Sequence, residues 1–190
     1  MIYTVVKAQV KPAVDPSILC HPNIPKPLQG VAPRKIAGDT WWKRERERVL
    51  AISEYCCQAC DTHVTKVLGK KKWLEAHEFY MYDYEKGRLT FEKVVTLCPY
   101  CHSFIHSGRL EMLYNTGEID DETYEAILAH GNSVLKAAGL TARWQTRHDH
   151  LCSVPWEDWR LVFRGVEYGP SSKSFSDWEN GAWKTWKPTR

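Results

Sequence analysis

Two C-x-x-C pairs constrain this chain more than any other feature: Cys57 with Cys60, and Cys98 with Cys101. Four thiolates from two such knuckles close a tetrahedral zinc shell with no open position, so the ion they hold is structural. Its binding free energy, on the order of 10 kcal/mol in zinc-finger peptides, would itself stabilise the fold. Whatever lies between the pairs must bring residues 57 and 98 together.

The chain has 190 residues, 43% of them hydrophobic, enough for one core of ordinary size. Seven cysteines would suit a secreted disulfide scaffold, but four of them sit in C-x-x-C pairs within a chain that has a real core. That favours reduced thiolates on a metal and a cytosolic setting. Cys20, Cys56 and Cys152 read as packed or idle thiols. No apolar run reaches the ~18 residues of a membrane span, and MIYTVVKAQVKP lacks the basic-then-apolar order of a signal peptide. The net charge of +3 permits phosphate contact without demanding it. The charge is uneven: residues 1–50 carry nine Lys/Arg against four Asp/Glu, making them the better polyanion surface.

Residues 1–10 alternate like a strand. Six prolines between 11 and 39 imply an extended arm lying on the body, not a helix, and Cys20-His21 within it is a weak candidate ligand pair. Thr40 is a plausible N-cap for a helix over 41–55. Its Lys43, Arg44, Arg46 and Arg48 alternate with Glu45 and Glu47, as on a solvated ion-paired face or a DNA-backbone contact. Gly69-Lys70-Lys71-Lys72 reads as a basic loop, a solvated turn that would also suit phosphate steering.

A strand follows over 73–78, then an aromatic loop FYMYDYEKGR, then a second strand over 91–97. Cys98 to Cys101 turns the chain into a short helix carrying His102 and His106, with Gly108 as its stop. A longer helix runs from about Asp121 to Ala138, capped by Asp120 and ended by Gly139. His130 on it, and His148 and His150 beyond, read as surface or core histidines rather than ligands. Five of the nine tryptophans fall between 156 and 186, in WEDWRLVFRGVEY (a strand or hairpin) and SDWENGAWKTWKP. Such a tail docks its indoles on the body or stacks them on unpaired bases, and docking is the expected use.

His77, His102 and His106 form a second group. Two imidazoles at i, i+4 on a helix can hold one divalent ion and leave positions open for water and phosphate. A third histidine on a facing strand can take a proton from water, and phosphodiester hydrolysis needs both parts.

The order C-x-x-C, strand histidine, second strand, then L-C-x-x-C-H-x-x-x-H resembles the HNH endonucleases, the ββα-metal or His-Me finger nucleases in their zinc-stabilised form. The resemblance covers about residues 55–108. It implies His77 as general base, His102 as ligand of a catalytic ion (Mg²⁺ or another divalent metal) and His106 as a possible second ligand. Cys57, Cys60, Cys98 and Cys101 would hold Zn²⁺. Two positions depart from the pattern. Ala76 stands where a metal-binding Asp or His often precedes the base, and Lys93 stands where many members have an Asn that orients it. Glu75, on the same strand face as His77, or Glu78 could substitute.

The expected fold is therefore α+β, a small zinc-stabilised ββα-metal module with flanking helices. Its parts are a Pro-rich arm (1–40), a helix plus the module (41–108), a helical segment (109–150) and a Trp-rich tail packing on the body (151–190). The implied function is DNA endonuclease, cytoplasmic in a bacterial host or phage-infected cell, with DNA as partner and no membrane. The alternative is a catalytically inactive zinc-stabilised module that binds nucleic acid, or a protein partner through the tryptophan-rich flank.

Overall fold

β1 (Glu75–Asp83) and β2 (Arg88–Leu97) form the antiparallel hairpin on which the chain is assembled, with His77 opposite Val95 and Glu75 opposite Leu97. The computed structural model describes residues 11–67, 73–141 and 154–188. The expectations for residues 1–10, the lysine loop, His148, His150 and Cys152 lie outside these. The architecture is α+β, with a mixed four-stranded sheet in the order β1-β2-β3-β4.

The strands run further than their apolar cores suggest. Phe79 to Asp83 were expected in a loop, yet they extend β1, with Tyr80 buried and Met81 exposed. Aromatic side chains fit a half-buried pleat well, so this run belongs in the sheet. The turn waits for Gly87 (φ +61°), and Asp83 Oδ1 accepts the Lys86 N–H at 3.0 Å.

The tail supplies the rest of the sheet. β3 (Arg160–Phe163) pairs parallel to β2, and β4 (Val166–Tyr168) closes a hairpin through Arg164 and Gly165, both at positive φ. Trp159 and Leu161 enter a core with Leu28, Val31, Tyr80 and Leu89. α6 (Phe175–Glu179) follows, and Trp178 Nε1 donates to Gln29 Oε1 at 2.7 Å. The indoles at 159 and 178 thus dock on the chain itself.

The proline-rich arm is not simply extended. Pro16 starts a 3₁₀ turn (Pro16–Cys20), Pro27 is the second residue of another (Lys26–Leu28), and Pro33 starts α1 (Pro33–Ala37). Proline's fixed φ suits a first helical turn and its missing N–H costs nothing there, so the same residues that forbid a long helix open three short ones. α2 spans Asp39–Ile52 with Gly38, not Thr40, as its cap, and it ends before residue 55 because Glu54 and Tyr55 turn to positive φ.

α3 (Pro99–Ile105) is followed at once by α4 (Ser107–Asn115). Gly108 therefore lies inside a helix, and the break falls at His106 (φ −94°, ψ 50°). Glycine tolerates a helix as well as a stop, and here the backbone at 106 decides. α5 (Asp121–Ala137) is capped by Asp120, whose carboxylate accepts the Thr123 N–H at 2.8 Å, and Gly139 (φ +67°) ends it. α3, α5 and the first arm turn enclose a second core containing Ile18, Leu19, Val95, Leu97, Phe104, Ile127 and Leu135.

Gly131 lets α5 approach α3, because a Cβ there would collide with the Phe104 ring. Gly131→Ala should therefore lower stability by about 1–3 kcal/mol in thermal or denaturant unfolding, although alanine is the better helix former.

Candidate metal centres

The first knuckle is a tight loop. Cys57 N–H donates to Thr62 O (3.0 Å) and Asp61 N–H to Cys57 O (2.8 Å). Gln58 ties it to the end of β2: its N–H donates to Thr96 O (2.8 Å), and its Oε1 accepts the Thr96 N–H (2.9 Å). The second knuckle follows directly from β2. Cys98 caps α3, its sulfur accepting the Cys101 N–H at 3.4 Å. The hairpin register thus delivers all four cysteines to one place.

Cys57, Cys60, Cys98 and Cys101 form a group able to hold a metal ion, their sulfurs all within 4.8 Å of one another. The Cys60 and Cys98 sulfurs are 3.8 Å apart. A tetrahedron with Zn–S bonds of ~2.3 Å has edges of about that length, so the donor set and its spacing suit zinc. Without a cation the cluster cannot ionise evenly. Hydrogen bonds within the group push the Cys60 thiol down and the Cys101 thiol up; at Cys98 the bond to Cys101 lowers the thiol, but the bonds to Cys57 and Cys60 together with burial leave it raised. A divalent ion would remove that conflict.

His130, expected to be an unremarkable core or surface histidine, stands at this cluster. Its Nε2 lies 3.3 Å from Cys101 Sγ and 3.8 Å from Cys98 Sγ. Spacing along the chain carries no sign of this; the adjacent Gly131, which brings α5 close, is the only local hint. Cys20 and Cys56 stay outside, as read: the Cys20 thiol donates to Thr141 O and the Cys56 thiol to Glu54 O, each at 3.6 Å.

His77, His102 and His106 converge as a second group, again with ligand atoms within 4.8 Å of one another. Ring centroids are 5.4 Å apart for 77–102, 4.9 Å for 77–106 and 4.6 Å for 102–106. His106 does not share a continuous helix with His102, since it caps α3, but its ring still meets the other two. Glu75 accepts from His102 Nδ1 at 3.0 Å, which leaves Nε2 free to ligate. His77 is buried, and its Nε2 has no hydrogen-bond partner among the described residues. An unpartnered buried nitrogen beside two other imidazoles fits an absent ligand of positive charge or a bound water.

The two positions that depart from the family pattern are occupied elsewhere. Ala76 pairs with Thr96, and Lys93 pairs with Phe79, its ammonium 5.3 Å from that ring's centre. His21 does not ligate either group. Its Nε2 accepts the Tyr80 N–H at 3.1 Å and its ring stacks on Phe79.

Burial, then the neighbouring His106 and His102, hold His77 well below its ordinary value. Burial, then His102, Arg109 and Arg34, hold His106 down to about 3. His77 and His106 are therefore neutral near pH 7, as ligation requires. No helix among the described residues is long and apolar enough to cross a membrane. Comparison with known family models, characterised proteins and solved structures finds no match.

Two outcomes follow. Purified protein should carry one tightly held zinc by elemental analysis, lost in Cys101→Ser and retained in His102→Ala. Folding stability should fall as pH drops from about 6.5 toward 3, because the unfolded chain binds protons that His106 and His77 refuse. Each group accounts for up to ~1.4 kcal/mol per pH unit, and His106→Ala should flatten the decline by about one such share.

Proposed function

We propose that this chain is a metal-dependent endonuclease of HNH type that hydrolyses DNA phosphodiester bonds. The reading rests on one observation above all: the buried His77 Nε2 has no partner among the described residues, and the His77, His102 and His106 ligand atoms lie within 4.8 Å of one another. In this reading β1, β2 and α3 are the ββα-metal module and the four cysteines hold its structural zinc.

His102 and His106 hold the catalytic ion. When bound, that ion supplies positive charge to the leaving oxygen and the transition state. His102 is the better fixed of the two, since Glu75 sets its tautomer. Neutral His77 accepts a proton from the attacking water. Burial is the main reason its basicity is depressed, with nearby cations adding to it, and an anionic phosphodiester entering beside it would raise that basicity again. His77 would also be within ligand reach of such an ion, its ligand atom lying within 4.8 Å of those of His102 and His106, and the base role is the one the resemblance to HNH nucleases implies for it.

The alternative is a module that keeps the scaffold and binds nucleic acid or a protein without cutting. It draws on Ala76 and Lys93, which give His77 no side chain to orient it.

Plasmid incubated with Mg²⁺, Mn²⁺ or Ni²⁺ separates the two. The nuclease nicks it, and His77→Ala lowers the rate by about 10²-fold or more. No cutting with any of the three ions, together with salt-sensitive DNA retention, would assign the chain to the binding class.

A further inference from the structure

His130 lies outside the stretch that resembles the nucleases, midway along α5 (Asp121–Ala137). Its Nε2 is nevertheless 3.3 Å from Cys101 Sγ and 3.8 Å from Cys98 Sγ. Two packing contacts hold the ring there. Gly131 lets α5 lie against Phe104 of α3, and the Tyr100 ring meets the imidazole at 5.6 Å between centres, inclined by 60°.

A sulfur that binds a metal has given up its proton, so it can only accept a hydrogen bond. The nitrogen facing it must then carry the hydrogen, which assigns the Nε2–H form of His130. Four sulfurs already fill a tetrahedral shell, so His130 meets the ligands and not the ion. Four thiolates also carry more negative charge than a divalent ion cancels, and the excess rests on the sulfurs. Hydrogen bonds to them relieve it. Two of the sulfurs find donors close by along the chain. Cys98 Sγ takes the Cys101 N–H at 3.4 Å, and Cys60 Sγ lies 3.2 Å from the Thr62 hydroxyl. Among the described residues, the Cys101 sulfur has a donor outside the cysteines only in His130. The cluster also has an open side. A cleft of about 380 Å³ lies beside it, with Cys98, Tyr100 and His130 in its wall.

We infer that His130 is a positioning residue of the thiolate site, its Nε2–H donating to the Cys101 sulfur so that α5 helps the cluster retain its ion. The inference rests on the zinc reading of the four cysteines and is independent of whether the chain cuts DNA.

The test compares the full chain with His130→Phe, His130→Ala and His130→Gln, each checked for unchanged circular dichroism. Phe keeps a ring against Tyr100 without the N–H, Ala serves should Phe not fold, and Gln returns an amide N–H. In competition with a chromogenic chelator, zinc affinity should fall about tenfold in Phe and Ala and stay near the wild-type value in Gln. Replacing zinc by Co²⁺ adds a readout that packing alone does not move. The sulfur-to-cobalt charge-transfer band should shift to longer wavelength in Phe and Ala, because a sulfur without its donor holds its electrons less tightly. The ligand-field bands should keep the intensity of a four-sulfur tetrahedral centre. An unshifted charge-transfer band in both Phe and Ala would overturn the inference whatever the affinity does, since packing then explains any loss. Altered ligand-field bands in Phe would overturn it too, by making His130 a ligand itself. A wild-type chain that takes up neither metal ends the inference together with the zinc reading, whatever it does to plasmid.

Discussion

The structure depends on four sulfur atoms held where like charges would collide. The first knuckle hangs on Thr96 at the end of β2, the second begins at Cys98 immediately after it, and α5 closes over both through His130. Four thiols at this spacing cannot all ionise without a cation among them. An ion suited to thiolates would therefore couple metal binding to folding, with a free energy comparable to a domain's whole stability. The same knuckle fixes the first turn of α3, and with it the position of His102.

The sheet carries the other half of the site. β1 is an edge strand, and its exposed donors invite pairing with another chain. The arm covers it with side-chain and carbonyl contacts instead of a strand. His21 accepts the Tyr80 N–H, and the Tyr82 hydroxyl donates to Pro22 O at 2.8 Å. A register shift between Phe79 and Tyr80 falls just where His21 docks. Below that bulge the ladder is regular, so Glu75 and His77 face the same side and meet the imidazoles of α3 and its cap.

Electrostatics then sets what the histidine site can accept. Burial, and then repulsion from neighbouring groups, keeps His77 and His106 neutral, which suits a cation beside them. Arg34 and Arg109 add positive charge around His106, which Glu75 partly offsets. The tryptophan tail serves a different end, since Trp159 and Trp178 are spent on the chain's own core and arm.

The sequence alone determined the local chemistry. Thiol pairs, the histidine spacing and the caps at Asp120 and Gly139 are short-range patterns, and each is set by residues within a turn of one another. Cys57, Cys60, Cys98 and Cys101 do gather, as do His77, His102 and His106. What only the tertiary structure decided involves contacts between residues distant along the chain. His130 meets Cys101 because Gly131 admits Phe104, β3 joins β2 from the far end of the chain, and Arg34 meets Glu78 because short proline-started helices fold the arm back. Such meetings depend on packing at separations where sequence spacing carries no geometric information, so no periodicity in the chain could announce them.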